Sequence, residues 1–560
     1  MREREEQARF DPAWRPPAEG YCYRHGNDWS QCAGDHMLYP KRSSQEILTR
    51  DPICLHEPFC WKQLDWRHSD PSDHAALRGW SCPHNAARLI DLTRHRAGMA
   101  DQSAFVEKTL SAMSGAHTQH SVTLCYSGST ASRNCRYTCP VYGVSFKTCK
   151  DPPQLRALRE RCEHCSGIVE SNARDYFARY RHNKEFLEAD ALMFSFWPSE
   201  FELWMAWNKT LVVNPCHRIN MYRCSEATSR RNFENVRRLA MSGPAGVFPR
   251  APQHVLASSN VYDGEYMRHY TGVNPILLGC GLEDAIGPNI SWVGSRREIL
   301  WNSYHPLPPE LRELLPGSQA PWDGKSFDFV KQLADGLRFP HASSSVRLKM
   351  ADLAEFKAVV ALPYSITNFK VVEQYAMNMP LFVPSPALGA SFVVDRTAVH
   401  GPCCPGMNET EMPAPHTSSP YEFSPNVRPD FDGPSAAAAA TFWVGFPEIY
   451  LWPCVKQFHS WRELITQLET ADLDEMSKCM AQAQKWRRFE RAQNWCWAMG
   501  RITGSIMPRA TSNADAEDYD YLYSQGYEKA LRDLYNTTEI LERTEWCDLD
   551  SCMDGTQPID

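Results

Sequence analysis

No stretch of this sequence holds the ~20 consecutive apolar residues that a membrane-spanning helix needs. The best window, Ala436 to Phe446, is cut short by Pro447 and Glu448. A positive excess is missing too. Lys and Arg number 59 against 67 Asp and Glu, for a net charge of -8. No nucleic-acid footprint is expected from that balance. The opening residues, Met1-Arg-Glu-Arg-Glu-Glu, lack the apolar core of a signal peptide, and no membrane anchor is visible in this chain. Phosphate loops rich in glycine are absent. Ser121 to Tyr126 reads as a strand ending in Ser127-Gly-Ser-Thr130, whose single Gly makes only a weak phosphate signal. A zinc ribbon is disfavoured as well, because Cys162-Glu-His-Cys165 has no second C-x2-C partner. Cys54, Cys60 and Cys82 with His56, His68, His74 and His84 match no ligand spacing, so no metal is assigned.

Cysteine is abundant. Of the 21 cysteines, 11 lie between Cys22 and Cys165. That density suggests disulfides and a secretory lumen, Golgi or ER. If the N-terminus is complete, the cytoplasm is the expectation instead. Four sequons, at Asn208, Asn289, Asn408 and Asn536, point to the lumen. At 560 residues the chain should hold two or three domains, and 43% hydrophobic with 22% charged residues suits a globular protein.

Residues 1–117 are poor in strand signals and rich in Cys, Trp and His. They read as a loop-rich extension. From about residue 118 short apolar runs alternate with helical stretches, which means parallel sheets with right-handed crossovers. Strands are expected at Ala191–Phe196, Thr210–Val213, His254–Ser258 and Asn274–Leu278, and helices at Thr228–Met241 and from Asn260 to about Tyr270. Gly279, Gly281, Gly287 and Pro288 then mark a linker. The expected units are 118–280 and 288–485, with 486–560 as a returning helix and an acidic tail. In the second unit Ile290–Val293 reads as the first strand and Phe327–Leu337 as a helix. Residues 401–440, rich in Pro, Gly and Ala, read as an insertion or mobile loop, and in Phe458–Leu468 Ser460 is the expected helix cap with Glu463 at the third helical position.

The most telling stretch runs from Ala358 to Ser385. Ala358 to Leu362 is a continuous apolar run, as a strand buried on both faces requires. Pro363 to Asn368 is a loop of hydroxyls and amides. Thr367 or Asn368 can cap a helix that reaches about Met377. Asn378 sits where that helix needs a left-handed residue to stop. Pro380 then opens the next strand. A loop at the carboxyl end of a parallel strand, feeding a helix start, is the standing anion site of open α/β sheets. Glu373, about a turn into the helix, can reach a ribose hydroxyl while the helix start faces a diphosphate.

These residues resemble the nucleotide-sugar site of GT-B-fold glycosyltransferases, and the resemblance extends over about residues 190–500. It implies an α/β fold of two Rossmann-like domains facing a cleft, the cysteine-containing extension in front of them. It implies a sugar transferred from a nucleotide-sugar donor to a hydroxyl of a glycan, protein or lipid acceptor. The nucleotide-sugar is a substrate, so no cofactor and no metal are implied. The implied donor contacts are Glu373, Tyr364, Ser365, Thr367 and Asn368, with Arg296 and Arg297 on the phosphates. Retaining members carry a second glutamate at the position held here by Ser365. That departure favours inversion, with a base from the first domain. His217 directly follows a strand and is the first candidate, because histidine is the residue type suited to proton transfer near neutrality, and Asp263 is the second candidate. Two other readings stay open, a non-catalytic GT-B-like protein that binds glycans or a partner, and a nucleotide-sugar epimerase.

Overall fold

The protein is described by a computed structural model. It describes residues 189–195, 226–241, 308–314, 350–362 and 369–394. It also describes most of 201–219, 254–302, 329–338 and 439–504, and isolated residues of 67–105 and 414–419. In chain order the elements are β1 (Leu89–Asp91), β2 (Ala191–Phe194), β3 (Thr210–Val213), α1 (Glu226–Met241), β4 (Val255–Ser258), α2 (Val261–Thr271) and β5 (Ile276–Leu277). The short α3 (Glu283–Ile286) follows, then β6 (Ile299–Asn302), α4 (Pro309–Leu314), β7 (Phe329–Leu333), β8 (Gly336–Arg338) and α5 (Met350–Leu353). Next come β9 (Ala358–Ala361), α6 (Phe369–Ala376), β10 (Leu381–Pro384) and α7 (Pro386–Val394). The chain closes with α8 (Glu448–Leu451), β11 (Lys456–Phe458), α9 (Trp461–Thr470) and α10 (Leu473–Gly504).

The strands form two separate sheets. The first has the order β1-β2-β3-β4-β5 and is parallel throughout. The second has the order β11-β10-β9-β6-β7-β8 and is parallel except for the β7–β8 hairpin. The fold is therefore the two-sheet α/β architecture expected from the sequence. Strands β2, β3, β4, β6, β9 and β10 are buried along their whole length. Their near-continuous apolar character follows from cover on both faces.

In the first sheet a monotonic strand order with right-handed crossovers puts α1 and α2 on one face. The other face packs on α10. There Ala191, Met193, Val212, Val255 and Ala257 form one core with Ala492, Trp495, Cys496, Met499 and Ile502. The start of α10 belongs elsewhere, since Met476 and Met480 lie in the core of the second sheet. One helix of 32 residues thus serves both cores. At 1.5 Å per residue it is long enough, about 48 Å, to do so.

Several local expectations need correction. Strand β1 falls inside the stretch read as a loop-rich extension, and it completes the first sheet beside β2. Three residues, Leu-Ile-Asp, carry too little pattern to be seen in sequence. Ile290–Val293 is not a strand. Trp292 N donates to Met377 O (2.7 Å) and Val293 N to Ala354 O (2.9 Å), so these amides bond to a helix end and a loop. Phe327–Leu337 is not a helix: Phe329–Leu333 and Gly336–Arg338 pair as the antiparallel β7–β8 hairpin. Asp-Gly is a hairpin signal, and it outweighed the helical spacing of the apolar residues. The expected strand at Ser121–Tyr126 lies outside the described residues.

Candidate functional site

Open α/β sheets present ligand sites at the carboxyl ends of their strands. In the second sheet that edge is formed by β6, β9, β10 and β11. Leu362 N donates to Asn302 O (3.0 Å), which carries the β6–β9 pairing one residue past β9. The loop 363–368 follows. Tyr364, Ser365, Thr367 and Asn368 lie outside the described residues. Helix α6 begins at Phe369, within two residues of the expected cap. It stops at Asn378, whose φ of 58° is left-handed, as expected there. The amides of Met377, Asn378 and Met379 donate back to the carbonyls of Glu373, Tyr375 and Gln374, and close the helix end. The Asn378 side chain joins two neighbours. Its Nδ2 donates to Ser291 Oγ (3.1 Å), and its Oδ1 accepts from Gln484 Nε2 of α10.

Glu373 is the fifth residue of α6, in its second turn, and is only 9% exposed. Carboxylates are seldom this buried without a purpose, structural or functional. Its neighbour Gln374 accepts from Asn302 Nδ2 at 2.9 Å, which ties α6 to the end of β6. Ser385, one residue past β10, caps α7 by accepting from Leu388 N (3.3 Å). At β11 the expected cap is observed. Ser460 accepts from Glu463 N, and Glu463 accepts from the His459 amide at 2.8 Å and faces its Nδ1 at 3.1 Å. His459 is thus an exposed histidine at the strand end, oriented by a carboxylate. Sequence reading saw the cap and overlooked the histidine, although a His directly after an apolar strand end was the available signal.

Arg296 and Arg297 are not on this edge. They precede β6, and Ile299 pairs with Ala358 while Asn302 pairs with Ala361. Both arginines therefore sit at the amino end of the strands, and Leu362, where the chain leaves β9, at the carboxyl end. Four residues at about 3.3 Å each separate the two ends by about 13 Å. Arg296 is otherwise engaged. Its Nε donates to Glu355 Oε2 (2.9 Å), and its guanidinium lies 5.1 Å from the Phe356 ring. Arg297 is exposed. The misplacement came from reading Ile290–Val293 as the strand.

The carboxyl edge of the first sheet carries Ser195, Asn214 and Ser258-Ser259-Asn260. Asn214 N donates to Phe194 O (2.8 Å), and Ser259 Oγ donates to Asn214 O (3.4 Å). Asn260 caps α2 by accepting from Asp263 N (2.7 Å), and its Nδ2 donates to Asp263 Oδ2. Asp263 is thus at the carboxyl edge of β4, but buried and engaged in the cap. At that place it also complements the helix dipole. His217 lies outside the described residues. Glu202 is held by Arg231 (3.2 Å) and Asn235 (2.8 Å), both from α1.

A bridge joins the two units near these edges. The helical residues 439–440 and 442–444 pack on α7 through Ala440 and Val444 against Ala390. Trp443 turns the other way. Its ring meets Tyr262 at 5.9 Å and His269 at 5.7 Å, both on α2. Tyr262 lies in the first turn of α2, at the carboxyl edge of β4. Pieces of the expected mobile stretch 401–440 are seated on the same helix. His416 N donates to His269 O (3.0 Å), and the Ser419 hydroxyl and His269 Nδ1 share a hydrogen bond of 2.9 Å. Burial pushes the His269 imidazole down to about 3, so it is neutral at physiological pH.

No protein-family model matches this chain, and no curated protein matches it. Solved structures do. One is described as the glycotransferase of kitacinnamycin, with a TM-score of 0.35 and 10% identity, over 75% of this chain and 99% of that one. Another is the glycosyltransferase SnogD from Streptomyces nogalater, with a TM-score of 0.30 and 12% identity, over 68% of this chain and 99% of that one.

Proposed function

We propose that this protein is a glycosyltransferase that moves a sugar from a nucleotide-sugar donor to an acceptor hydroxyl. The observation that carries the reading is the β9–loop–α6–β10 unit. It puts a buried glutamate, Glu373, on the second turn of a helix that starts at a strand's carboxyl edge. In this reading Glu373 accepts from the ribose hydroxyls. The loop amides of 363–368 and the start of α6 meet the diphosphate, with the hydroxyls of Ser365 and Thr367 and the side chains of Tyr364 and Asn368 beside them. With Arg296 and Arg297 at the opposite edge, the helix start supplies the positive potential for the leaving group, and no metal is called for. The acceptor lies against the first sheet. His217 serves as base, with Asp263 second because of its engagement in the α2 cap.

The Cys454–Cys479 disulfide supports an oxidising compartment, in line with a secretory lumen. The function is tested with a panel of nucleotide sugars and acceptors, reading free nucleotide. Release that requires acceptor is the expected result. Sugar interconversion without acceptor, or binding without turnover, would replace this reading with an epimerase or a binding protein.

A further inference from the structure

Helix α3 ends at Ile286, and the chain then crosses the amino edge of the second sheet before it enters β6. Three amides pin it there. Trp292 N and Val293 N donate to Met377 O (2.7 Å) and Ala354 O (2.9 Å), and Arg296 N donates to Glu355 O (2.8 Å). Ala354 and Glu355 lie ahead of β9 and Met377 lies ahead of β10, so all three acceptors belong to that edge. Exposure alternates along the pinned segment. Ile290 and Trp292 are half-buried and pack on the second core, while Asn289, Ser291 and Val293 face outward, Val293 with 67% exposed. That alternation is what an extended chain lying on a surface produces. The outward residues include both ends of the sequon Asn289-Ile290-Ser291.

We propose that Asn289 carries an N-linked glycan. Its Nδ2 bonds to C1 of the first sugar of a lipid-diphosphate oligosaccharide. The C1–O bond to the diphosphate breaks, and the lipid diphosphate leaves with the electron pair. The amide proton passes to a base of the cell's own oligosaccharide transferase. That reaction needs Asn-x-Ser/Thr with x other than Pro, and Ile290 satisfies it. The fold must then house what was added. An N-glycan is bulky and hydrated, so a surface asparagine carries it without cost to the core. Asn289 meets that demand on a segment whose inward side is already packed, so the glycan projects to solvent and leaves the segment seated. Asn208, Asn408 and Asn536 lie outside the described residues. The proposal rests on the luminal reading, because the modification belongs to secreted proteins, and not on the transferase reading. At the amino edge, opposite Leu362, the glycan stands away from the proposed donor side.

The test uses the full chain isolated from the cells that make it. Peptide N-glycosidase in heavy-oxygen water turns a glycosylated asparagine into labelled aspartate, and peptide mass spectrometry locates the label. We expect the label at position 289 of the wild type, a readout that needs no variant. Asn289→Gln and Ser291→Ala should each lose one glycan's step in gel mobility, and Ser291→Thr should keep it, because the sequon asks only for a hydroxyl there. The proposal is overturned if the wild-type peptide returns Asn289 as an unlabelled amide, or if Ser291→Ala keeps the full glycan mass. Label at other sequons with none at 289, and an intact Cys454–Cys479 bond, would overturn this site and leave the luminal reading standing. No label anywhere, with both cysteines recovered as thiols, would remove the two together. Label at 289 without nucleotide-sugar turnover would remove the transferase reading and leave the glycan site in place.

Discussion

The Cys454–Cys479 disulfide gives the most quantitative prediction. Cys454 sits ahead of β11 in a left-handed conformation, with φ of 70°. Cys479 lies in the second turn of α10, 25 residues further on. The closed loop contains β11 and α9, which covers the second-sheet core with Leu464 and Leu468. Cross-linking removes loop-closure entropy from the unfolded chain. For a loop of this length the chain-entropy relation gives about 3.5 kcal/mol. Cys454→Ser, Cys479→Ser and the double variant should each lose roughly that amount, and the double variant no more than either single. The assay is urea unfolding at neutral pH, with hydrogen exchange to locate the loss in β11, α9 and the first turns of α10. Added reductant should change the double variant only through other disulfides, such as the one that holds Cys496. Single variants that lose under about 1 kcal/mol, or a double variant that loses the sum of both, would refute the link and the oxidising compartment argued from it.

Glu373→Ala should weaken nucleotide-sugar binding by about 1–3 kcal/mol, read by titration calorimetry, and unchanged affinity would remove Glu373 from the site. Arg296→Ala should leave donor affinity unchanged in the same titration, because Arg296 lies at the amino edge on Glu355. His217→Ala should lower turnover about 100-fold or more with donor affinity nearly intact, and a product of retained configuration by NMR would contradict an inverting base. His269 gives a pH signature. Its folded pKa of about 3 lies below the unfolded 6.5, so only the unfolded chain takes the proton as pH falls below 6.5. Stability contributed by this group is therefore complete above pH 6.5 and declines towards pH 3, and His269→Gln should flatten that decline in urea unfolding across this range.

Much of the fold was legible where pattern and punctuation agreed. At β9–α6–β10 a fully apolar strand, a polar loop and a helix stop all said the same thing, and Asn378 is left-handed as its position demanded. The caps at Asn260 and Ser460 were legible for the same reason, since a small polar residue before an apolar run has few other uses. Legibility failed where an element is short or its signal is tertiary. Strand β1 has three residues, and only its pairing with β2 makes it a strand. Trp292 looks like a strand residue, yet its indole N–H is spent on Phe356 O (2.9 Å) and its amide on Met377 O. The arginines then followed the wrong strand to the wrong edge. Burial also exposed a cost of sequence reading at Asp263, where a carboxylate at a strand end proved to be part of a helix cap.

The two units touch on both faces of the first sheet, and that arrangement constrains how far they can move apart. On one face α10 is pinned to the linker. Arg487 donates to Cys280 O (3.2 Å) and lies 3.7 Å from the Trp452 ring, while Arg491 bonds to Gln102 (3.3 Å), which in turn donates to Gly279 O (3.1 Å). On the other face Trp443, His416 and Ser419 rest on α2. A large opening about the α10 contacts would have to separate Trp443 from Tyr262 and break the His269–Ser419 hydrogen bond, exposing a buried aromatic cluster. Such burial is worth several kcal/mol for a Trp alone, so wide opening is costly and small adjustments are cheap. The bridge contacts both the helix after β10 and the helix after β4. A substitution that removes the Trp443 ring should therefore loosen both units together, read as lost hydrogen-exchange protection in α2 and α7 at once, whereas loss confined to one helix would contradict a bridging role.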